Sequence, residues 1–248
     1  MRGRLVFLFG LALLFVAVLA EPAAAQSFSL DLGQEGTLTG RVVQLLLLVT
    51  VLTLAPSILI VMTSFTRIVV VLSILRSALG TQQTPPNVVL ISLALFLTGF
   101  IMAPTLQASW ENGISPLMNE EMTPEEALPA ATAPFRQFML ANVREKDLGL
   151  FLDAAAGERP ATPEATPLTS LIPAFVVSEL RRAFEIAFLL YIPFVIIDLV
   201  IASILMSMGM MMLPPVLLSL PFKLIFFVLV DGWHLVAGSL IRSFVAGG

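Results

Sequence analysis

Few groups in this 248-residue chain could do chemistry. There is one histidine, His234, and no cysteine. That excludes a multi-histidine metal site, thiolate ligands, disulfides and a cysteine nucleophile. No P-loop, GxGxxG, HExxH, GxSxG or EF-hand pattern occurs, so neither a catalytic constellation nor a cofactor or metal site is expected. His234 follows Trp233 at the end of an apolar run, which suits a residue at a membrane interface better than a general base. The informative charges are those in apolar surroundings. Asp198 and Lys223 each stand alone in a long apolar segment. A lysine so placed costs roughly 2.5–3.5 kcal/mol unless an acid answers it. Taking Met210 as the turn between the two segments, Asp198 lies 12 residues before it and Lys223 lies 13 after. At 1.5 Å per residue both sit about 18–20 Å from the turn, which makes Asp198 the partner within one hairpin. Glu179, 31 residues before the turn, is the other candidate, from a neighbouring copy or across a strongly bent hairpin.

The turn itself is unusual. Met206, Met208, Met210, Met211 and Met212 place five of the chain's eleven methionines in seven residues. Gly209 permits a tight bend, and Pro214-Pro215 stops the helix from continuing. Methionine is unbranched and adaptable, so a ring of such turns could seal a channel and still yield to its contents. A buried turn packed on neighbours is the alternative use.

The elements that carry these residues are membrane segments. Of all residues 58% are AVILMFWYC and only 12% are charged, and the mean hydropathy is +0.97. That is about half the usual charge of a soluble domain. The formal net charge of −4 leaves no general basic surface for nucleic acid. Arg2 and Arg4, the apolar run Leu5 to Ala20 and the small residues Ala23 to Ala25 read as a signal peptide cleaved between Ala25 and Gln26. Four apolar segments follow: Val42 to Thr66, Val88 to Trp110, Ile186 to Met206 and Leu213 to Val230. Each is long enough to cross a bilayer as a helix. The link from Arg67 to Asn87 holds Arg67, Arg76 and no acid, whereas the link from Glu111 to Glu185 holds twelve acids and six bases. The positive-inside rule puts the first link in the cytoplasm and the second outside, and an even number of spans returns the C-terminus outside. Arg67 and Arg76 are nine residues apart and point to opposite faces of a helix, free to set topology or to meet a neighbour.

The fold expected is all-α: a helical membrane protein of two long kinked hairpins with a small helical periplasmic insertion. Its parts are the signal peptide (1–25), a tail and first hairpin (26–110), the insertion (111–167) and the second hairpin with the methionine turn (168–248). In the insertion, Thr123-Pro124-Glu125-Glu126 is a helix start with Thr at the N-cap and Glu at N3. Pro129 limits that helix to about one turn, and a second helix runs from Ala133-Pro134 to about Ala156, with Gly157 as its stop. Its charged middle, Arg144 to Asp147, reads as a solvated face or an intersubunit contact. Pro56, Pro104, Pro193 and Pro221 fall in or beside the apolar segments and predict bent helices packed in an assembly.

Several stretches carry a family likeness: Thr63-Ser64-Phe65-Thr66-Arg67, Leu79-Gly80-Thr81-Gln82-Gln83-Thr84-Pro85-Pro86-Asn87, Arg144-Glu145-Lys146-Asp147 and Ile172-Pro173-Ala174-Phe175-Val176-Val177-Ser178-Glu179-Leu180. They continue through Met208-Gly209-Met210-Met211-Met212-Leu213-Pro214-Pro215, Leu220-Pro221-Phe222-Lys223 and Asp231-Gly232-Trp233. In order and spacing, from about Leu38 to Phe244, these resemble the FliP family of flagellar biosynthetic proteins. The injectisome relatives share much of the pattern, but the signal peptide and the Arg144 to Asp147 run look more flagellar. The resemblance implies a non-enzymatic, pore-forming subunit of the type III export gate, in the bacterial inner membrane at the flagellar basal body. It implies a closed ring of about five copies, assembled with FliQ, FliR and other export proteins, through which unfolded flagellar cargo passes. The same resemblance gives the methionine-rich turn the role of a gasket. An ion-coupled small-solute transporter is the competing class, but the inverted repeat it calls for is not found.

Overall fold

A computed structural model of the chain describes residues 38–81, 83–155, 160–210 and 213–245. The signal peptide with Ala25 and Gln26, the helix stop at Gly157, and Met211 and Met212 lie outside the described residues. The chain divides into two compact units, 1–51 and 52–248. In the first, the described residues form the opening turns of α1 (Leu38–Val61). The second unit holds the rest: α2 (Phe65–Ala78), α3 (Asn87–Ser109), a π-helical turn (Trp110–Ile114) and α4 (Ser115–Met118). There follow α5 (Pro124–Asn142), α6 (Glu145–Ala154), a short 3₁₀ turn (Pro163–Ala165), α7 (Leu168–Ser207), α8 (Pro215–Leu229) and α9 (Gly232–Val245). There is no strand among the described residues.

Among the described residues two continuous helices are long and apolar enough to cross a membrane, Asn87–Met118 and Leu168–Ser207. A third passage, α8 with α9, meets the same test only as a pair bent by 63°. The helices continue through Pro104, Pro193 and Pro221, and the chain breaks its helices elsewhere. One break comes at Met62 to Ser64, where the Thr63 hydroxyl donates to the Ile60 carbonyl at 2.8 Å. A side chain that takes a helix carbonyl offers the backbone a way out of the helix. The other comes at Val230 and Asp231, with Asp231 at φ 51. Gly232 follows it, and the Phe227 ring fills the space where a Cβ would stand, 2.2 Å away.

The main core joins α2, α3, α7, α8 and α9. On α2 the buried residues Ile68, Val71, Leu72, Leu75 and Ala78 recur at helical spacing, the pattern of a stripe facing a partner. On α7 the facing positions Ala183 and Ala187 are small, which lets two backbones approach closely. A second core of Met62, Met102, Phe135, Met139, Leu171 and Phe175 seats the insertion on α3 and α7.

The insertion differs from expectation in its breaks. Glu126 Oε2 accepts from the Thr123 backbone N–H at 3.1 Å and from its hydroxyl at 3.0 Å, closing the helix start. The same bonds hold the Glu126 carboxyl below its ordinary range. The helix then continues through Pro129 and Pro134 to Asn142. The carbonyl that Pro129 leaves unanswered belongs to Glu125, an exposed residue whose carbonyl water can serve, while Ala127, Phe135 and Met139 hold the inner face. The real break is at Val143 and Arg144, both extended. At the entrance to the insertion, Gly113 lies so close to α5 that a Cβ would stand 2.5 Å from the Ala131 nitrogen. Ser109 Oγ also donates to the Ala131 carbonyl at 2.7 Å. Gly113→Ala is therefore expected to cost about 1–3 kcal/mol by overpacking against backbone. A thermal melt of the purified protein checks this, and an unchanged midpoint would contradict a tight contact between Gly113 and α5.

Candidate functional site: a methionine turn on a hairpin held by buried ion pairs

The α7–α8 turn is built by backbone rules. Met208 caps α7, and Gly209 follows at φ +74, a conformation that costs glycine nothing. Met210 N–H then reaches the Leu205 carbonyl at 3.0 Å and Gly209 N–H the Met206 carbonyl at 3.1 Å, the bond pair of a Schellman ending. Pro214 is extended and Pro215 opens α8, where a missing N–H is harmless. The turn thus places its side chains outward: Met206 is 59% exposed, Met208 65% and Met210 43%.

Twelve residues back from Met210, Asp198 meets Lys223. Lys223 Nζ lies 2.7 Å from Asp198 Oδ2 and 3.0 Å from the Ala78 carbonyl. Ser219 Oγ donates to the other carboxylate oxygen at 2.5 Å. The ammonium is buried, and it does two jobs: it neutralises Asp198 and it caps the C-terminus of α2, where carbonyls lack intrahelical donors. Gly80, at φ +77, turns the chain just past that end.

Glu179, weighed above as the other partner for Lys223, is engaged elsewhere. Its two oxygens accept from Nε (2.8 Å) and Nη2 of Arg67, and both side chains are fully buried. Arg67 Nη1 also donates to the Ser243 carbonyl at 3.0 Å and to Ser243 Oγ at 2.9 Å. Its guanidinium carbon sits 3.6 Å from the centre of the Phe244 ring, which stacks on Phe138 of the insertion at 5.9 Å. One arginine therefore joins α2, α7 and α9. Most of the link from Arg67 to Asn87 is the helix α2, and Arg67 lies in the core and not on a free face. Arg76 alone serves the connection, its Nη1 donating to Asn87 Oδ1 at 2.5 Å and to the Pro85 carbonyl at 3.3 Å. Sequence inspection missed the Ser243 and Phe244 contacts, 176 and 177 positions from Arg67. The one clue was that α2 carries an arginine on its apolar stripe, one residue from Ile68.

In the Arg144 to Asp147 run Glu145 and Lys146 are exposed, but the two end residues are engaged within the chain. Arg144 forks onto Asp147 through Nε and Nη2, both at 2.8 Å. Ser178 Oγ of α7 donates to Asp147 Oδ2 at 2.7 Å and accepts the Arg144 N–H at 3.1 Å. These bonds, Arg144's first, hold the Asp147 carboxyl below its ordinary range against the opposing effect of burial. A depressed carboxylate stabilises the fold above its unfolded pKa, and that contribution is lost as pH falls through the folded value. Acidification should loosen α6 from α7, and Asp147→Asn should remove that part of the pH dependence. Thermal midpoints from neutral into acid pH check this; parallel curves for wild type and variant would contradict it.

The arrangement is an exposed methionine turn on a hairpin whose stem is fixed at two levels to α2. Known proteins resemble the chain over most of its length. The sequence model of the FliP family matches residues 48–240. A flagellar biosynthetic protein FliP of Caulobacter vibrioides is 59% identical over 238 residues, 96% of this chain and 90% of that protein. Its counterpart in Rhizobium meliloti is 49% identical over 228 residues, 90% and 93% of the two chains. That of Bacillus subtilis is 55% identical over 202 residues, 82% and 91%.

Proposed function

This chain belongs to the FliP family, and from that premise we propose that it is a core pore-forming subunit of the flagellar protein export gate. Several copies, about five in a closed ring, surround a channel in the bacterial inner membrane at the flagellar basal body. They do so together with FliQ, FliR and other export proteins. Unfolded flagellar subunits pass through, and the chain itself catalyses nothing. The methionine turns of neighbouring copies meet in the channel and close it to ions at rest.

The observation that carries this reading is the turn: three thioether side chains held outward on a capped bend, on a stem that Lys223 and Asp198 fix to α2. An apolar constriction excludes ions by dewetting, and methionine repacks around a passing chain at little cost. The stem must be rigid for a soft tip to stay in place. Replacing Met210, Met211 and Met212 together with alanine is expected to leave the complex assembled and to raise ion flux across the membrane, seen as slowed growth and small-solute entry. An intact complex that leaks under no condition would remove the seal from the account.

A further inference from the structure

Resting on the seal reading, we propose that the methionine turn is a site of reversible oxidation by peroxide, and that oxidation opens the seal. The chain has no cysteine, so its thioethers are its only sulfur nucleophiles. Among the described methionines, Met206, Met208 and Met210 are 59%, 65% and 43% exposed, whereas Met62, Met102 and Met139 are 5%, 1% and 0% exposed. Three of the four exposed ones stand together on one turn of a hairpin tip, the fourth being Met118, and the protected set fills the core under the insertion. Hydrogen peroxide is small and uncharged.

The chemistry needs nothing else. A sulfur lone pair attacks one peroxide oxygen and the O–O bond breaks. An S–O bond forms, and the hydroxyl proton passes to the departing oxygen, which leaves as water. Sulfur loses two electrons and the peroxide gains them. The product is a sulfoxide, polar and chiral, in place of a flexible apolar group. Polar groups in a constriction that works by dewetting let water and ions in. Enzymatic reduction of the sulfoxide restores the thioether, so the change is a switch, not only damage.

The test uses membrane vesicles carrying the assembled complex, treated with hydrogen peroxide and read two ways: peptide mass mapping of each methionine, and ion flux. Met206, Met208 and Met210 should gain oxygen faster than Met62, Met102 and Met139 by about tenfold or more. Flux should rise in step and fall again after treatment with methionine sulfoxide reductases. Substituting Met206→Leu, Met208→Leu and Met210→Leu together should abolish the peroxide-induced rise, each protein being read against its own untreated flux. Met118→Leu, at an exposed methionine far from the turn (69%), should not. Oxidation at the turn no faster than in the core would overturn the inference, whatever the seal does. Preferential oxidation without added flux, in a complex whose alanine variant does leak, would also overturn it and leave the seal standing. If the alanine variant does not leak either, the seal fails and the inference fails with it.

Discussion

Glu179→Gln is expected to destabilise the protein by about 3–5 kcal/mol, the scale for stranding one charge of a buried pair. Arg67 and Glu179 are both fully buried, so neither water nor another acid can replace the lost carboxylate. The remaining Arg67 contacts, the Ser243 carbonyl and hydroxyl and the Phe244 face, satisfy donors but not the charge. The loss should spread along the node. α9 is tied to α2 through that arginine, so its C-terminal turns should become open to hydrogen exchange and proteolysis. The double variant Arg67→Met with Glu179→Met should recover part of the stability, because an apolar pair of similar volume leaves no charge stranded. It should not recover the protection of α9, whose Ser243 carbonyl loses its donors. A wild-type melting temperature for Glu179→Gln would show that the pair contributes little.

The second large effect is an asymmetry at Lys223 and Asp198. The Lys223 side chain is 5% exposed and that of Asp198 33%. Asp198→Asn keeps an acceptor but removes the charge that answers a buried cation, and about 3–5 kcal/mol is expected to be lost. Lys223→Met leaves an acid that water reaches and that Ser219 still bonds, so its cost should be smaller. It uncaps α2 as well, which adds about 0.3–1 kcal/mol. Exchanging the two, Lys223→Asp with Asp198→Lys, should restore the pair's charge but not the cap, and motility should recover partly beyond either single change. Equal losses for both single variants, or no recovery on exchange, would contradict the geometry.

How far these features could be read from the residues depended on their range. The pairing of Lys223 with Asp198 could be counted, because both lie on one hairpin and the turn between them is marked by Gly209 and two prolines. The helix start at Thr123 is local chemistry and was equally legible. The node at Arg67 was not, because it joins residues from three helices whose packing no local pattern states. Glu179 looked free for Lys223 only while Arg67 looked like a surface charge. The prolines of the insertion misled. Pro129 and Pro134 each remove one donor, a local cost that packing along the rest of the helix outweighs. Breaks in the membrane segments come at Thr63 and Asp231, where a hydroxyl takes a carbonyl or the backbone turns left-handed. The bend at Gly232 also divides what had read as one segment ending at Val230 from a further helix reaching Val245.

The central claim is that the methionine turns close the channel of an assembled export gate, and an electron-microscopy map of the purified complex tests it most directly. The account predicts several copies around one axis, with the α7–α8 turns pointing inward and Met206, Met208 and Met210 forming the narrowest point of the hole. A map with those turns facing lipid or a partner's outer surface, and a constriction lined by other residues, would contradict it.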